Sequence, residues 1–366
     1  MHDYDKIGSF LGREQNLFDE SVLRSNLEGK RVLITGAAGY IGSALARSIA
    51  RLSIQHLSLL DIAESGLHKL ASDLDHNAGV SRDLIVGDIC DADLLAEVFK
   101  QHCPQIVVHA AACKHVALME ENPFAAARAN VLGTQQIVHA AGAFGSDKLI
   151  LISTDKAVVP IGIMGATKRV AELIALANRN ATQMYAIRLG NVLGSTGSVV
   201  PILRSQIARG GPVTITDPAC TRFFISREEA VQRLLSGLLL DSPSTIFISD
   251  TGKAYRIVEL AQFLLENAGV DHQKIELRFT GLRIGEKVSE RMTSEKEVLA
   301  ATAVHGLRKV IYSPGPTQRQ LTAAIEEIEG AFHPRDLGRL LRAICSVVPE
   351  YVPSTRLLHF AGIATI

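Results

Sequence analysis

Two stretches of this 366-residue chain carry residue types at spacings suited to chemistry. The first is Thr35-Gly36-Ala37-Ala38-Gly39-Tyr40-Ile41-Gly42, which follows the apolar run Arg31–Thr35 and opens a helical pattern. In a strand–turn–helix context, Gly36 permits the tight turn, Gly39 lets backbone approach a diphosphate, and Gly42 lets the helix pack close to the sheet. The helix start, with Tyr40 and Ile41, offers unpaired N–H groups and partial positive charge to phosphates. Asp61 ends the next strand, where a carboxylate accepts from a ribose 2′-hydroxyl. The residues after it, Ile62-Ala63-Glu64-Ser65, hold no Arg or Lys for a 2′-phosphate, so NAD is favoured over NADP. Asp88, beside Ile89, follows a third strand and reads either as an acceptor for an adenine amino group or as a helix N-cap. Ala110-Ala111-Ala112, after a fourth strand, are small where backbone lies against a cofactor.

The second stretch is Ser153-Thr154-Asp155-Lys156, at the end of a fifth strand, followed by Met164-x-x-x-Lys168 on the next helix. A spacing of four puts Met164 and Lys168 on one helical face. An adjacent acid and amine serve as a proton-transfer pair or simply neutralise each other. No metal-ligand pattern accompanies them. Five cysteines, at least ten residues apart and without a C-x-x-C pair, argue against a disulfide framework and a zinc ribbon, and read as small buried hydrophobes.

Positioning such groups requires a sheet. Short β-branched or leucine-rich runs alternate with helical patterns, the signature of an α/β, doubly wound parallel sheet covered on both faces. Strands are expected at Arg31–Thr35, Leu57–Asp61, Asp83–Gly87, Ile106–His109, Lys148–Ser153, Met184–Leu189 and Thr245–Ile248. In Gly165–Arg179, Val170, Leu173, Ile174 and Ala177 form an apolar stripe, leaving Arg169 and Glu172 on other faces. Residues 190–225 hold five glycines and three prolines and read as loop-rich. The expected organisation is an N-terminal extension (1–28), a dinucleotide-binding domain (29–190, its sheet completed by about 225–255), a smaller mixed lobe (191–224 and 256–330) and a helical tail (331–366).

Composition narrows the class. Apolar residues make up 47% and charged residues 21%, and 38 basic residues balance 38 acidic ones. That balance excludes a basic nucleic-acid coat and a net-charge attraction to anionic membranes. No apolar run is long enough to span a bilayer, and the acidic and basic residues before position 29 do not form a signal peptide. A cytoplasmic protein is expected.

The G-x-x-G-x-x-G spacing resembles the short-chain dehydrogenase/reductase superfamily, where a Tyr-x-x-x-Lys pair does proton and hydride chemistry. Met164 stands in the tyrosine position, and the resemblance implies that Lys168 holds the nicotinamide ribose. Further motifs narrow it: Lys114-His115-Val116, Met119-Glu120-Glu121-Asn122-Pro123, Asn130-Val131-Leu132-Gly133-Thr134, Ser153-Thr154-Asp155-Lys156-Ala157-Val158, Met164-Gly165-Ala166-Thr167-Lys168-Arg169, Gly190-Asn191-Val192-Leu193-Gly194-Ser195 and Thr216-Asp217-Pro218. Together they resemble the CapD-like nucleotide-sugar 4,6-dehydratases of bacterial polysaccharide biosynthesis, which act on UDP-N-acetylglucosamine. Leu11-Gly12-Arg13 resembles the segment joining membrane and catalytic domains in that family's long members; the membrane part is not in this sequence.

The resemblance implies a reaction: oxidation at C4, loss of water across C5–C6, and hydride return to C6. It assigns Asp155 as acid for the C6 hydroxyl and Lys156 as base at C5. Lys156 must then be neutral, and lowering an amine by ~3 units from ~10.4 costs about 4 kcal/mol. The acceptor of the C4 proton is open among Thr154, water, Asp155 and Lys156. Lys114, Asn191, Arg222 and Arg283 match substrate-binding positions, and Ser198-Val199-Val200-Pro201 line the sugar-nucleotide groove. Either arginine also suits a surface role. Departures from the family pattern fall at Tyr40, Ala44, Cys113, Ala117, Val159, Ile161, Gly162 and Ile284, giving a more apolar pocket that suits another UDP-sugar as well. A UDP-sugar epimerase and a catalytically idle NAD-binding protein are the alternatives. The superfamily pairs through the helix bearing Lys168, so a homo-oligomer is expected.

Overall fold

The structure, a computed structural model, describes residues 8–13, 20–75, 80–177, 181–241, 244–269, 275–311 and 315–363. Most of the expected extension before residue 20 and the end of the expected helix at 178–180 lie outside the described residues.

All seven expected strands form, as β1 (Arg31–Thr35), β2 (His56–Asp61), β3 (Ser81–Val86), β4 (Ile106–His109), β5 (Lys148–Thr154), β6 (Gln183–Leu189) and, later in the chain, β10 (Thr245–Ser249). Between β6 and β10 lie β7 (Asn191–Val192), β8 (Val213–Ile215) and β9 (Thr221–Ile225); after β10 come β11 (Ala254–Arg256), β12 (Leu277–Phe279), β13 (Val298–Ala301) and β14 (Leu307–Ile311). Nine strands make one sheet in the order β13-β14-β10-β6-β5-β4-β1-β2-β3. The chain runs outward from β1 to β3, then returns to place β4 on the other side of β1. Thr35 and His109, which end β1 and β4, are register partners at this reversal, the place where doubly wound sheets bind ligands.

Alternation along the strands builds a core on each face. Leu33, Leu60, Val107, Leu149 and Leu151 face one, whereas Val32, Ile34, Leu59, Val108 and Ile150 face the other. Here the fold is the doubly wound α/β architecture.

Several details differ from the sequence expectation. Residues 298–311, expected in the smaller lobe, supply two antiparallel edge strands to the main sheet. The stretch 190–225 contains a helix, Val199–Ala208, because Val200, Leu203 and Ile207 recur on one buried face between the glycines and prolines. The smaller lobe has its own core around Leu203, Ile215, Phe224, Tyr255 and Leu260, and Leu11, from the expected extension, is part of it. Of the five cysteines, all free, only Cys220 is buried and Cys103 is exposed.

The helix Ile163–Ala177 departs furthest. Every residue from Ile163 to Ala175 is buried, Arg169 and Glu172 included. The tail helices Gln318–Gly330 and Leu337–Val347 pack on this side of the sheet through Leu321, Ile325, Leu340, Leu341 and Ile344. The tail helices thus pack on the helix through which the resemblance would pair two copies.

Candidate functional site

At the β1–β4 reversal the glycine turn is closely constrained. A Cβ at Gly36 would lie 2.5 Å from Ala111 N, and one at Gly42 would lie 2.1 Å from Gly36 O, so both positions demand glycine. Gly36 also has φ of 69°, which glycine adopts without strain. Gly39 is the N-cap of the helix Tyr40–Ile49 and gives it no side-chain cap. The first amides of that helix have no intrahelical partner, an arrangement that suits a diphosphate. Tyr40 turns away from the helix start and donates from its hydroxyl to Leu193 O at 3.0 Å, tying the turn to the smaller lobe; Ile41 packs on the core.

Asp61 accepts from Ala38 N and Ala63 N, both at 2.9 Å, which fixes its carboxylate beside the turn with lone pairs remaining on each oxygen. Asp88 is not a helix cap; Asp91 fills that role by accepting from Leu94 N. Asp88 instead accepts from Cys90 N at 2.9 Å and Arg128 at 2.8 Å. Partial burial raises its pKa, but the Arg128 guanidinium and the Cys90 N–H outweigh that and hold it below the usual carboxylate range. Ile89 is a core residue against which Gly133 packs. Ala110 and Ala111 are half-buried beside the turn, and Ala112 is exposed. Glycine turn, short alanine segment and paired carboxylates together fit a dinucleotide.

The acid and amine at the end of β5 meet as a bonded cluster. Lys156 Nζ donates to Asp155 Oδ1 at 2.9 Å and to Asn191 Oδ1 at 2.8 Å. Thr154 Oγ1 donates to the same Asp155 oxygen at 2.9 Å and accepts from Lys156 N at 3.4 Å. Asp155 is fully buried, and its Oδ2 makes no hydrogen bond among the described residues. A buried carboxylate oxygen without a donor is costly unless it is protonated or a ligand supplies a partner. Met164, in contrast, is 2% exposed and belongs to the apolar core, outside the polar cluster.

Lys168 is buried and donates to Ile152 O at 2.7 Å. Burial pulls its pKa down to about 8, with Glu172, one helical turn on, opposing the fall. Glu172 was missed by the helical pattern and is central here. Its Oε1 accepts from Ser153 Oγ (2.7 Å) and Arg188 Nε (2.8 Å), and its Oε2 from Arg169 (2.7 Å) and Arg188 (2.9 Å). Arg188 also pairs with Glu297 at 2.8 and 3.0 Å. One buried charge network therefore joins β5 just before Thr154, the Lys168 helix, β6 and the loop at Glu297. Two other positioning residues lay within quoted motifs. Asn130 holds Cys113 through its N–H and carbonyl, and Glu120 accepts from Ile163 N at 2.6 Å at the start of the Lys168 helix.

Contacts also gather most of the expected substrate residues. His115, beside the exposed Lys114, packs on Gly197, where a Cβ would lie 2.5 Å from His115 Cε1. That brings Lys114 near Ser198, Val199, Val200 and Pro201, which open the Val199–Ala208 helix. Ser198 is its N-cap and makes no side-chain cap bond, and its Oγ is buried without a hydrogen bond among the described residues; Val200 is core. Arg222 donates to Thr221 O (2.7 Å) and Val288 O (3.0 Å), and Lys287 donates to Val158 O at 2.8 Å. The loop 281–289 is thereby tied both to the lobe and to the segment after Asp155. Arg283, on this loop, is exposed, and its guanidinium makes no bond among the described residues.

Comparisons with known proteins agree with this arrangement. Residues 32–311 match the family described as "Polysaccharide biosynthesis protein". The chain is 40% identical over 299 residues to the probable polysaccharide biosynthesis protein EpsC of Bacillus subtilis, covering 81% of this chain and 50% of that one. It spans about half the length of that relative. It is 33% identical to a UDP-N-acetylglucosamine 4,6-dehydratase (inverting) of Campylobacter jejuni (74% of this chain, 79% of that one) and 32% identical to a UDP-glucose 4-epimerase of Rickettsia rickettsii (74% and 80%). Among solved structures, Pen from Bacillus thuringiensis superposes with a TM-score of 0.73 at 26% identity, covering 79% of this chain and 89% of that one. No described helix is long and apolar enough to cross a membrane. The fold, the site and a match over most of its length place this chain in the polysaccharide biosynthesis protein family.

Proposed function

We propose that the chain is an NAD-dependent 4,6-dehydratase of a UDP-sugar, with UDP-N-acetylglucosamine as substrate. The observation that carries the reading is the Thr154–Asp155–Lys156–Asn191 cluster at the end of β5, beside a helix whose tyrosine position is filled by a buried methionine. NAD, when bound, supplies a reversible hydride acceptor, so that the sugar is oxidised at C4 and reduced at C6 with no net redox change. Gly36, Gly39 and Gly42, with the amides of Tyr40 and Ile41, hold its diphosphate. Asp61 accepts from the adenosine ribose, Asp88 with Ile89 borders the adenine, Ala110-Ala111-Ala112 lie against the cofactor, and Lys168 holds the second ribose.

The hydrogen bonds support one order of proton transfers. Thr154 passes the C4 hydroxyl proton to Asp155, to which its hydroxyl is already bonded. Lys156, having given its extra proton to solvent, enters the step as the free amine, held in place by Asp155 and Asn191. Lys156 then takes the C5 proton while Asp155 gives its proton to the departing C6 hydroxyl, which leaves as water. Lys156 returns a proton to C5. Lys114, Arg222 and Arg283 contact the UDP diphosphate as donors, with Asn191 and Ser198-Val199-Val200-Pro201 along the sugar-nucleotide groove.

A second reading, C4 epimerisation, is favoured by the similarity to the Rickettsia epimerase. Incubation with NAD and UDP-N-acetylglucosamine separates the two: dehydration gives a product about 18 Da lighter, whereas epimerisation leaves the mass unchanged. Neither change is expected of an idle NAD-binding protein.

Lys168 sets a pH dependence. With its pKa at about 8, it is a cation at lower pH and loses its charge as pH rises through that value. The affinity for NAD is expected to fall above about pH 8, and Lys168→Arg should abolish that decline while keeping binding measurable. Titration of NAD binding from pH 6.5 to 9.5, about a unit and a half either side, tests this. A flat profile in the wild type would place Lys168 away from the cofactor.

A further inference from the structure

A second cluster of ligating groups lies at the other end of β2. His56 opens this strand and Asp61 closes it, so the cluster sits about 16 Å along the strand from the dinucleotide site. His56, Asp83 on β3 and His102 at the end of the helix Ala92–His102 converge there. His56 Nε2 is 3.2 Å and His102 Nδ1 3.4 Å from the same oxygen, Asp83 Oδ2. One donor atom from each residue lies within 4.8 Å of the others.

These contacts are poor hydrogen bonds and good ligand separations. His56 Nε2 is buried and has no hydrogen-bond partner among the described residues, although a carboxylate oxygen faces it. His56 Nδ1 lies 3.0 Å from Ser81 Oγ. If that nitrogen carries the proton, Nε2 presents a lone pair toward a carboxylate, which only a cation between them reconciles. A hydrogen-bonded outer nitrogen is also how metal-bound histidines are oriented. Around a tetrahedral ion with bonds of about 2.0–2.1 Å, neighbouring ligand atoms stand roughly 3.3–3.4 Å apart, close to the 3.2 and 3.4 Å found here. The imidazole rings stack at 5.2 Å and 6°, so both edges are presented together. Asp83 is half exposed, leaving a solvent side for a fourth ligand.

We propose that His56, Asp83 and His102 bind a divalent transition-metal ion of the zinc class, completed by water. The site clips the edge strand β3, which buries little of its own surface, to β2 and to the helix ending at His102. It is independent of the dehydratase reading.

The test uses the full chain after chelator treatment, titrated with Zn²⁺ by calorimetry. One ion per chain at micromolar affinity or tighter is expected, with a rise in the thermal midpoint. Asp83→Asn and His102→Gln should each weaken binding by about tenfold or more, the loss that even outer-shell changes produce. Co²⁺ should give the visible absorption of a tetrahedral site in the wild type alone. Should His102→Gln fail to fold, Asp83→Asn, at a half-exposed position, carries the comparison. Absence of Zn²⁺ binding by the wild type, or equal binding by Asp83→Asn, would overturn the proposal and leave the cluster as an ion pair of two histidines with one carboxylate.

Discussion

Lys156→Ala is expected to lower kcat for water loss by about 10²–10⁴-fold, the contribution of a positioned general base. NAD affinity should stay unchanged, because Lys156 Nζ bonds to Asp155 and Asn191 and makes no bond to the glycine turn among the described residues. Asp155→Asn should match it in size through the acid step, since an amide cannot protonate the C6 hydroxyl. The pair of variants is informative because the two residues share one oxygen, Asp155 Oδ1, with Thr154. Removing both should therefore cost much less than the product of the two single losses. Steady-state kinetics with the UDP-sugar and a separate NAD titration provide the readouts. Wild-type kcat in Lys156→Ala would place the base elsewhere.

The second large effect concerns stability. Glu172→Ala is expected to destabilise the fold by about 3–5 kcal/mol, since it leaves Arg188 and Arg169 as buried cations short of a partner. Replacing Glu172 and Arg188 together with apolar residues should cost less than the sum of the two single losses, because opposite charges leave as a pair, while Arg169 and Glu297 each lose one partner. Urea unfolding measures both. The pH dependence has a definite sign. Burial raises the Glu172 pKa, but Arg188 and Arg169 outweigh it and bring it to about 2, against an ordinary value of 4.5. Its contribution is therefore fully present above pH 4.5 and is lost as pH falls from there through about 2. Glu172→Gln should remove that part of the acid limb. Because Glu172 also binds Ser153 and sits one turn from Lys168, variants that still fold should lose activity as well.

How much of this was legible in the sequence depends on where each residue's neighbours lie along the chain. The inner parallel strands read well because they are buried on both faces, as in β1, where Val32 to Thr35 are all buried. The glycine turn read well because steric demand acts within seven residues, Gly36 to Gly42. Strands β13 and β14 were missed: at the sheet edge Val298 and Ile311 stay exposed, and the pattern has little hydrophobic signal. Arg169 and Glu172 read as lying off the apolar face because much of the network that holds them comes from distant parts of the chain: Arg188 pairs with Glu172, and Glu297 pairs with Arg188. Leu11 read as part of an extension; its fixing contacts are equally remote. The Tyr255 hydroxyl donates to Leu11 O, and Arg13 pairs with Glu229 at 2.9 Å. The residues of the candidate site were legible as motifs, whereas the bonds among Thr154, Asp155 and Lys156, on which the proposed proton order rests, were not.

Incubating the protein with NAD and UDP-N-acetylglucosamine in deuterium oxide tests most directly whether the amine at position 156 removes the C5 proton. The expected wild-type product has lost water and carries deuterium from solvent at C5, and Lys156→Ala shows no C5 label in recovered substrate or product. Wild-type labelling of C5 by Lys156→Ala, or a wild-type product of unchanged mass with an inverted C4, would contradict it.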